Sequence, residues 1–116
     1  MSEQEFAFPF EARLHEVFPA LHEAQSAWLG RIDSLPAPDR KTHELIRLVC
    51  TVILRAPNGI RRHAGLAREF GASWEEIAGS IVLTLPGFGL IPAVEAFPIA
   101  REGFDAAPEP ETDPDE

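Results

Sequence analysis

The sequence lacks several features that define common classes of protein. It has one cysteine, Cys50, which excludes an internal disulfide and a structural zinc site built on cysteines. It has no tyrosine and no sustained alternation of apolar and polar residues, so β-strands have little support. No uninterrupted run of about 20 apolar residues and no apolar leader segment is present. We therefore expect a cytoplasmic protein with no membrane partner.

Positive charge is also scarce. The chain has 10 lysines and arginines against 19 acidic residues, a net charge of -9. Because nucleic acids require clustered cations, we expect no nucleic-acid partner. Six of the acids and three prolines fall in residues 105–116, a composition that predicts an acidic disordered tail. Residues 1–104 are then expected to form one domain.

The residues that are present favour helices. After Pro19, helical spacing places four apolar residues on one face, which predicts a buried face: Leu21, Ala24, Trp28 and Ile32. Capping residues and glycine or proline stops predict four more helices. These run from Asp39 to about Arg55, from Asn58 to Phe70, from Ser73 to a turn at Pro86–Gly89, and from about Leu90 to Gly103. Short connections favour an all-α bundle of about six helices.

His63 is the residue most informative about function. It shares a helical face with Ile60, Ala67 and Phe70, so its imidazole should face inward, where it needs a hydrogen-bond partner. Glu44, on the preceding helix, is the natural partner, and such a pair can hold or move a proton near neutral pH. Two other interpretations stay open: a core histidine satisfied by another group, and a Glu44 paired on its own helix with Arg40 or Arg47.

The spacing of Glu44, positions 56 and 59, and His63 resembles the active-site frame of the alkylhydroperoxidase D (AhpD) family, which includes the carboxymuconolactone decarboxylases. Three blocks carry the resemblance: Leu35–Leu48, His63–Ile77 and Leu85–Phe97. The resemblance implies an AhpD-like helical bundle that assembles as a homo-oligomer, a trimer or a hexamer.

The resemblance does not imply the peroxidase activity of that family. The two positions of its Cys-x-x-Cys pair are Ala56 and Gly59 here, so thiolate attack followed by closure of a disulfide within this pair is excluded. Cys50 lies beside the apolar positions of its helix, and we expect a buried structural thiol. Residual thiol redox chemistry through Cys50 is the alternative.

The decarboxylase branch of the family also lacks the thiol pair and keeps a histidine at the position of His63. The resemblance implies decarboxylase or lyase chemistry on a small organic acid, without a cofactor or a metal. His63 would be the acid or base and Glu44 its partner. A non-catalytic small-molecule-binding or scaffold protein is the alternative from a different class.

Binding residues are predicted on chemical grounds. Arg47 and Arg61, and also Arg55 and Arg62, are candidates to hold a substrate carboxylate, because guanidinium groups match carboxylates; solvated surface charges are the alternative. Phe88 and Trp74 are candidates to line an apolar pocket, with core or interface burial as the alternatives. The other three histidines, His15, His22 and His43, show no familiar metal-ligand spacing, and the sequence predicts no metal site.

Overall fold

The computed structural model describes residues 9–110, which are helical apart from short connections. The helices are α1 (Pro9–Val17), α2 (Pro19–Asp33), α3 (Arg40–Ile53), α4 (Pro57–Glu69), α5 (Trp74–Val82), α6 (Leu85–Phe88) and α7 (Leu90–Ala106). The all-α prediction is confirmed over these residues. None of the helices in this range is long and apolar enough to cross a bilayer. The chain divides into two compact units, one up to Pro36 and one from Ala37.

In the first unit, α1 and α2 are separated by a break at Phe18. In a continuous helix, residue 19 would donate its N–H to the carbonyl of His15, but Pro19 has no N–H and its ring would collide with that carbonyl. Pro19 instead takes the first position of α2, where its missing donor costs nothing. α1 was not predicted from the sequence.

The face of α2 predicted to be buried is exposed, so that prediction was wrong. Trp28 is 51% exposed, whereas His22 is only 6% exposed. The break at Pro19 decides which face of α2 turns toward α1, and it selects the face of His22. The apolar set that begins at Leu21 is rotated from His22 by one residue, about 100° around the helix axis.

In the second unit, α4 packs against both α3 and α7. Larger core side chains, including Leu48, Ile77 and Ile81, come from α3 and α5, while α4 and α7 contribute mainly alanines. α4 and α7 approach so closely that a Cβ on Gly103 would overlap the Arg61 carbonyl oxygen and lie 2.8 Å from its carbonyl carbon. Small residues at this crossing therefore set the distance between the two helices.

Three predicted caps are confirmed. Asp39 accepts a hydrogen bond from the Thr42 amide, with an N···O distance of 2.8 Å. Ser73 and Glu76 form a reciprocal capping box at the start of α5. At the end of α4, Gly71 adopts φ +100°, and the amides of residues 71 and 72 donate to the carbonyls of residues 68 and 67. This is a Schellman motif, in which glycine takes the left-handed position.

Other helix boundaries differ from the prediction. α4 begins at Pro57 with Ala56 as its N-cap, because proline is well suited to the first helical position. Asn58, predicted as that cap, lies inside the first turn, where its Oδ1 accepts from Arg61. The predicted turn at Pro86–Gly89 overlaps the single helical turn α6, which begins one residue earlier.

The end of α7 also lies further along the chain than predicted. Asp105 was assigned to the tail of residues 105–116, but it lies within α7. It forms an ion pair with Arg101, one turn earlier, with an N···O distance of 3.1 Å, which favours another helical turn at this point. Residues 111–116 of the predicted tail lie outside the described residues.

Candidate functional site

The candidate site is built on one face of α3 and one residue of α4. Arg40, Glu44 and Arg47 lie four and three residues apart on α3, so their side chains are neighbours along one stripe. His63 comes from the second turn of α4. The orientation of His63 toward this stripe depends on how the short connection at residues 54–56 sets α4 against α3.

That connection contains an unusual residue. Arg55 follows the last turn of α3 with φ +54°, the left-handed conformation that glycine normally supplies at the end of a helix. The amides of Arg55 and Ala56 return to carbonyls of α3. The Arg55 guanidinium binds both carboxylate oxygens of Glu95 on α7, at 2.9 and 2.5 Å. This two-point contact joins the turn between α3 and α4 to α7, through side chains that are about half exposed.

Glu44 is the centre of the site. Its side chain is fully buried, and its Oε2 lies 2.7 Å from Nδ1 of His63, whose side chain is 12% exposed. The other oxygen, Oε1, accepts from Nη2 of Arg40 at 3.2 Å and from Nη1 of Arg47 at 3.1 Å. The predicted contact with His63 and the alternative contacts with the arginines are therefore both present. One buried carboxylate joins two helices.

The charge state of Glu44 follows from these contacts. Burial raises the pKa of Glu44, but the hydrogen bond and charge of His63, with the nearby Arg40 and Arg47, lower it by more. The net pKa of the Glu44 carboxyl lies below its usual value. Glu44 is consequently an anion at neutral pH and can only accept hydrogen bonds.

An ionised Glu44 fixes the roles of the two imidazole nitrogens. The carboxylate accepts, so Nδ1 of His63 carries the hydrogen of the 2.7 Å contact. Proton exchange with another molecule then falls to Nε2, and the ring orientation is set by the carboxylate. The pair can thus present one nitrogen in a fixed tautomer for general acid or base chemistry.

The structure brings only some of the predicted site residues together. Arg47 contacts Glu44 and therefore belongs to the cluster. Arg61 is two residues from His63, a separation that puts the two side chains on different faces of α4, and it forms an ion pair with Glu102 of α7 at 3.1 Å. Arg40, predicted only as an alternative partner of Glu44, also belongs to the cluster. Its separation of four residues from Glu44 is the sequence signal for this contact.

The predicted aromatic residues lie in two different settings. Trp74 is partly buried at the start of α5, where its ring meets Phe104 edge to face with 5.7 Å between centroids. The guanidinium of Arg101 lies 5.0 Å from the Trp74 ring. Phe88 ends α6 and is 57% exposed. Trp74 thus packs against α7, whereas Phe88 presents its ring to the surface.

Gly59, at the position where the resemblance would place the second cysteine, lies against α3. A Cβ built on Gly59 would lie 2.5 Å from the Cγ2 methyl of Thr51, so a side chain on α3 occupies the space that a residue at 59 would need. Cys50 is exposed, and the prediction of a buried thiol was wrong. α3 buries positions 43, 44, 48 and 52, and Cys50 lies two residues from each of the last two, on the side of the helix away from Leu48 and Val52.

Within residues 9–110, no group of three or more histidine, cysteine or acidic side chains is arranged to hold a metal ion. Comparisons with protein-family models, curated proteins and solved structures found no match to this chain. The AhpD-like assignment therefore stays a prediction from the residues quoted above.

Proposed function

We propose that this protein is a cofactor-independent acid–base enzyme of the decarboxylase or lyase type, acting on a small organic acid. The proposal rests on one observation: Nδ1 of His63, whose side chain keeps 12% of its surface exposed, lies 2.7 Å from the fully buried, ionised carboxylate of Glu44. Such an arrangement orients an imidazole and fixes which of its nitrogens faces away from the carboxylate. The resemblance to the decarboxylase branch of the AhpD-like family supplies the reaction class.

In the proposed reaction the bond between the substrate carboxylate and its α-carbon breaks. Carbon dioxide leaves, and the electron pair stays on the carbon as a carbanion or enolate. The Nε2–H of protonated His63 transfers its proton to that carbon, which leaves a neutral imidazole whose Nδ1–H is still held by Glu44. Water then returns a proton to Nε2. Glu44 remains an anion throughout, because its lowered pKa makes it a poor competitor for the proton.

The arginines give the site a positive potential that suits an acid. Arg40 and Arg47 both contact the same oxygen of Glu44, and their side chains are 34% and 27% exposed. Their charges would favour a carboxylate substrate and stabilise the negative charge that develops as carbon dioxide departs. Arg47 is the predicted binding residue that this geometry supports best.

A homo-oligomer, a trimer or a hexamer, is part of the same proposal. Residues 77–94 contain no charged side chain. Six large apolar side chains in this segment are exposed: Val82, Leu83, Phe88, Leu90, Ile91 and Val94. Uncharged apolar surface of this kind is typical of the centre of a subunit interface. Light scattering should report a mass above 12.8 kDa, and Leu83→Glu should lower it.

A scaffold or binding protein is the competing function, because a buried ion cluster can also serve only to fix the packing of helices. Residual thiol redox chemistry is a further alternative, and the exposure of Cys50 removes the burial argument against it. Peroxide-dependent turnover that Cys50→Ser abolishes would favour that alternative.

The test is a screen of β-keto acids and carboxylated lactones in D2O, read by carbon dioxide release and by deuterium at the product carbon. We expect turnover of at least one compound, with His63→Gln reducing it by about 100-fold or more, a typical contribution of a general acid. Glu102→Gln, which removes an exposed carboxylate on α7, is the control and should be as active as the wild type. An active His63→Gln protein, or binding without turnover across the screen, would contradict the proposal.

A further inference from the structure

Two imidazoles that have no role in the proposed chemistry meet in the α1–α2 unit. Nδ1 of His15 and Nδ1 of His22 are 3.2 Å apart. The two rings are nearly perpendicular, at 83°, with 5.1 Å between their centroids. His22 is 6% exposed, and His15 is partly exposed, so water reaches the contact from the His15 side only.

The fold creates this contact by breaking the helix between the two residues. Seven residues in a straight α-helix advance about 10 Å along its axis, too far for the two rings to meet. The break at Phe18 and Pro19 redirects the chain and brings His22 against His15. Ordinary metal motifs place two histidines three or four residues apart on one helix, which is why the sequence spacing gave no signal.

The distance between the two nitrogens suits two ligands of one metal ion. Zinc–imidazole bonds of about 2.0–2.1 Å in tetrahedral geometry place the nitrogens about 3.3 Å apart. Square-planar ligands, which Cu²⁺ prefers, would lie closer, at about 2.8 Å for bonds of similar length. Glu11, which is buried, lies one helical turn before His15 on the same side of α1.

We propose that His15 and His22 bind a divalent transition-metal ion, with Zn²⁺ the best fit, through their Nδ1 atoms. Because no third metal-ligating side chain within the described residues is arranged to join them, water would fill the remaining positions. An ion held by only two protein ligands exchanges readily and keeps coordination positions open, unlike an ion in a closed structural site with four protein ligands. Without a metal, the Nδ1–H of one ring donates to the Nδ1 of the other.

The experiment is a calorimetric titration of the full-length, untagged Cys50→Ser chain with zinc chloride. The Cys50 substitution removes an exposed thiol that would bind zinc by itself. We expect one zinc per chain, with His15→Gln and His22→Gln each weakening binding by at least about 100-fold, since loss of even an outer-shell partner costs about 10–100-fold. The chain has four histidines, so His43→Gln and His63→Gln are matched controls that should bind zinc as the parent does.

A second measurement decides the matter if a variant fails to fold. Long-range proton–nitrogen NMR spectra of the parent chain should show, on addition of zinc, a shift of Nδ1 in two of its four histidines, with the His43→Gln and His63→Gln spectra identifying which two. Zinc affinity unchanged in the His15→Gln and His22→Gln chains would overturn the proposal. So would zinc-induced shifts confined to His43 and His63, or no zinc binding by the parent.

Discussion

Replacement of Glu44 by glutamine tests the centre of the candidate site most directly. The substitution keeps the size of the side chain and one acceptor oxygen, but it removes a negative charge that is fully buried. Three groups that rely on this charge remain: the Nδ1 of His63 and the guanidinium groups of Arg40 and Arg47. The variant therefore leaves positive charge without its counterion in the interior of the second unit.

The expected loss of stability follows from these contacts. Removing one partner of a buried ion pair costs about 3–5 kcal/mol, because the other partner stays desolvated and unpaired. Arg40 and Arg47 keep 34% and 27% of their side-chain surface exposed, so water replaces part of what they lose. We expect the free energy of unfolding to fall by about 3 kcal/mol, the lower end of that range. Domains are commonly stable by about 5–15 kcal/mol, so the variant should still fold.

Urea unfolding at pH 7, followed by circular dichroism, measures the difference. Glu102→Gln makes the same chemical change in an ion pair whose members are 39% and 63% exposed, and it should cost no more than about 1 kcal/mol. If Glu44→Gln were destabilised as little as this control, the carboxylate would not be joining α3 to α4, and the structural basis of the proposed acid–base pair would be refuted.

Three further predictions concern pH, helix packing and capping. Because the pKa of Glu44 is lowered on folding from its usual value of 4.5, its contribution to stability is complete above that pH and is lost as the pH falls through the lower folded value. The difference in unfolding free energy between wild type and Glu44→Gln should therefore narrow below pH 4.5, and a difference that widened in acid would contradict the assignment. Gly103→Ala should destabilise the protein by about 1–3 kcal/mol or more, because its Cβ meets the backbone of α4. Gly79→Ala is the control: a Cβ there meets nothing within 4 Å, so the substitution should stabilise α5 by about 0.5–1 kcal/mol. Equal melting temperatures for Gly103→Ala and Gly79→Ala would exclude the close approach of α4 and α7. Ser73→Ala should lower the urea-unfolding free energy by about 1 kcal/mol through loss of the capping box, with no change if the box does not form in solution.

The sequence predicted features whose chemistry acts within one turn of a helix. Asp39, Gly71 and Ser73 were identified as helix-end residues because a cap needs only its own side chain or backbone freedom and the next few amides. The contact between Glu44 and His63 was also predicted, since helical periodicity places both residues on faces that turn inward.

Features that depend on the angle between helices could not be predicted in this way. The exposed apolar face of α2 follows from the break at Pro19, whose direction no local pattern encodes. Arg55 occupies a left-handed position normally taken by glycine, and its contact with Glu95 joins residues 40 apart in the chain. The exposure of Cys50 follows from which side of α3 packs on the core, a choice that apolar neighbours in the sequence did not reveal.

The methyl group of Thr51 also bears on which residues position 59 can accept. Any side chain introduced there would place its Cβ 2.5 Å from the Cγ2 methyl. Thr51→Ser removes that methyl and keeps the hydroxyl that donates to the Leu48 carbonyl. A side chain at position 59 therefore fits without this clash only when position 51 changes as well. The identity of a residue in the first turn of α4 thus depends on that of a residue on α3, eight positions earlier in the chain.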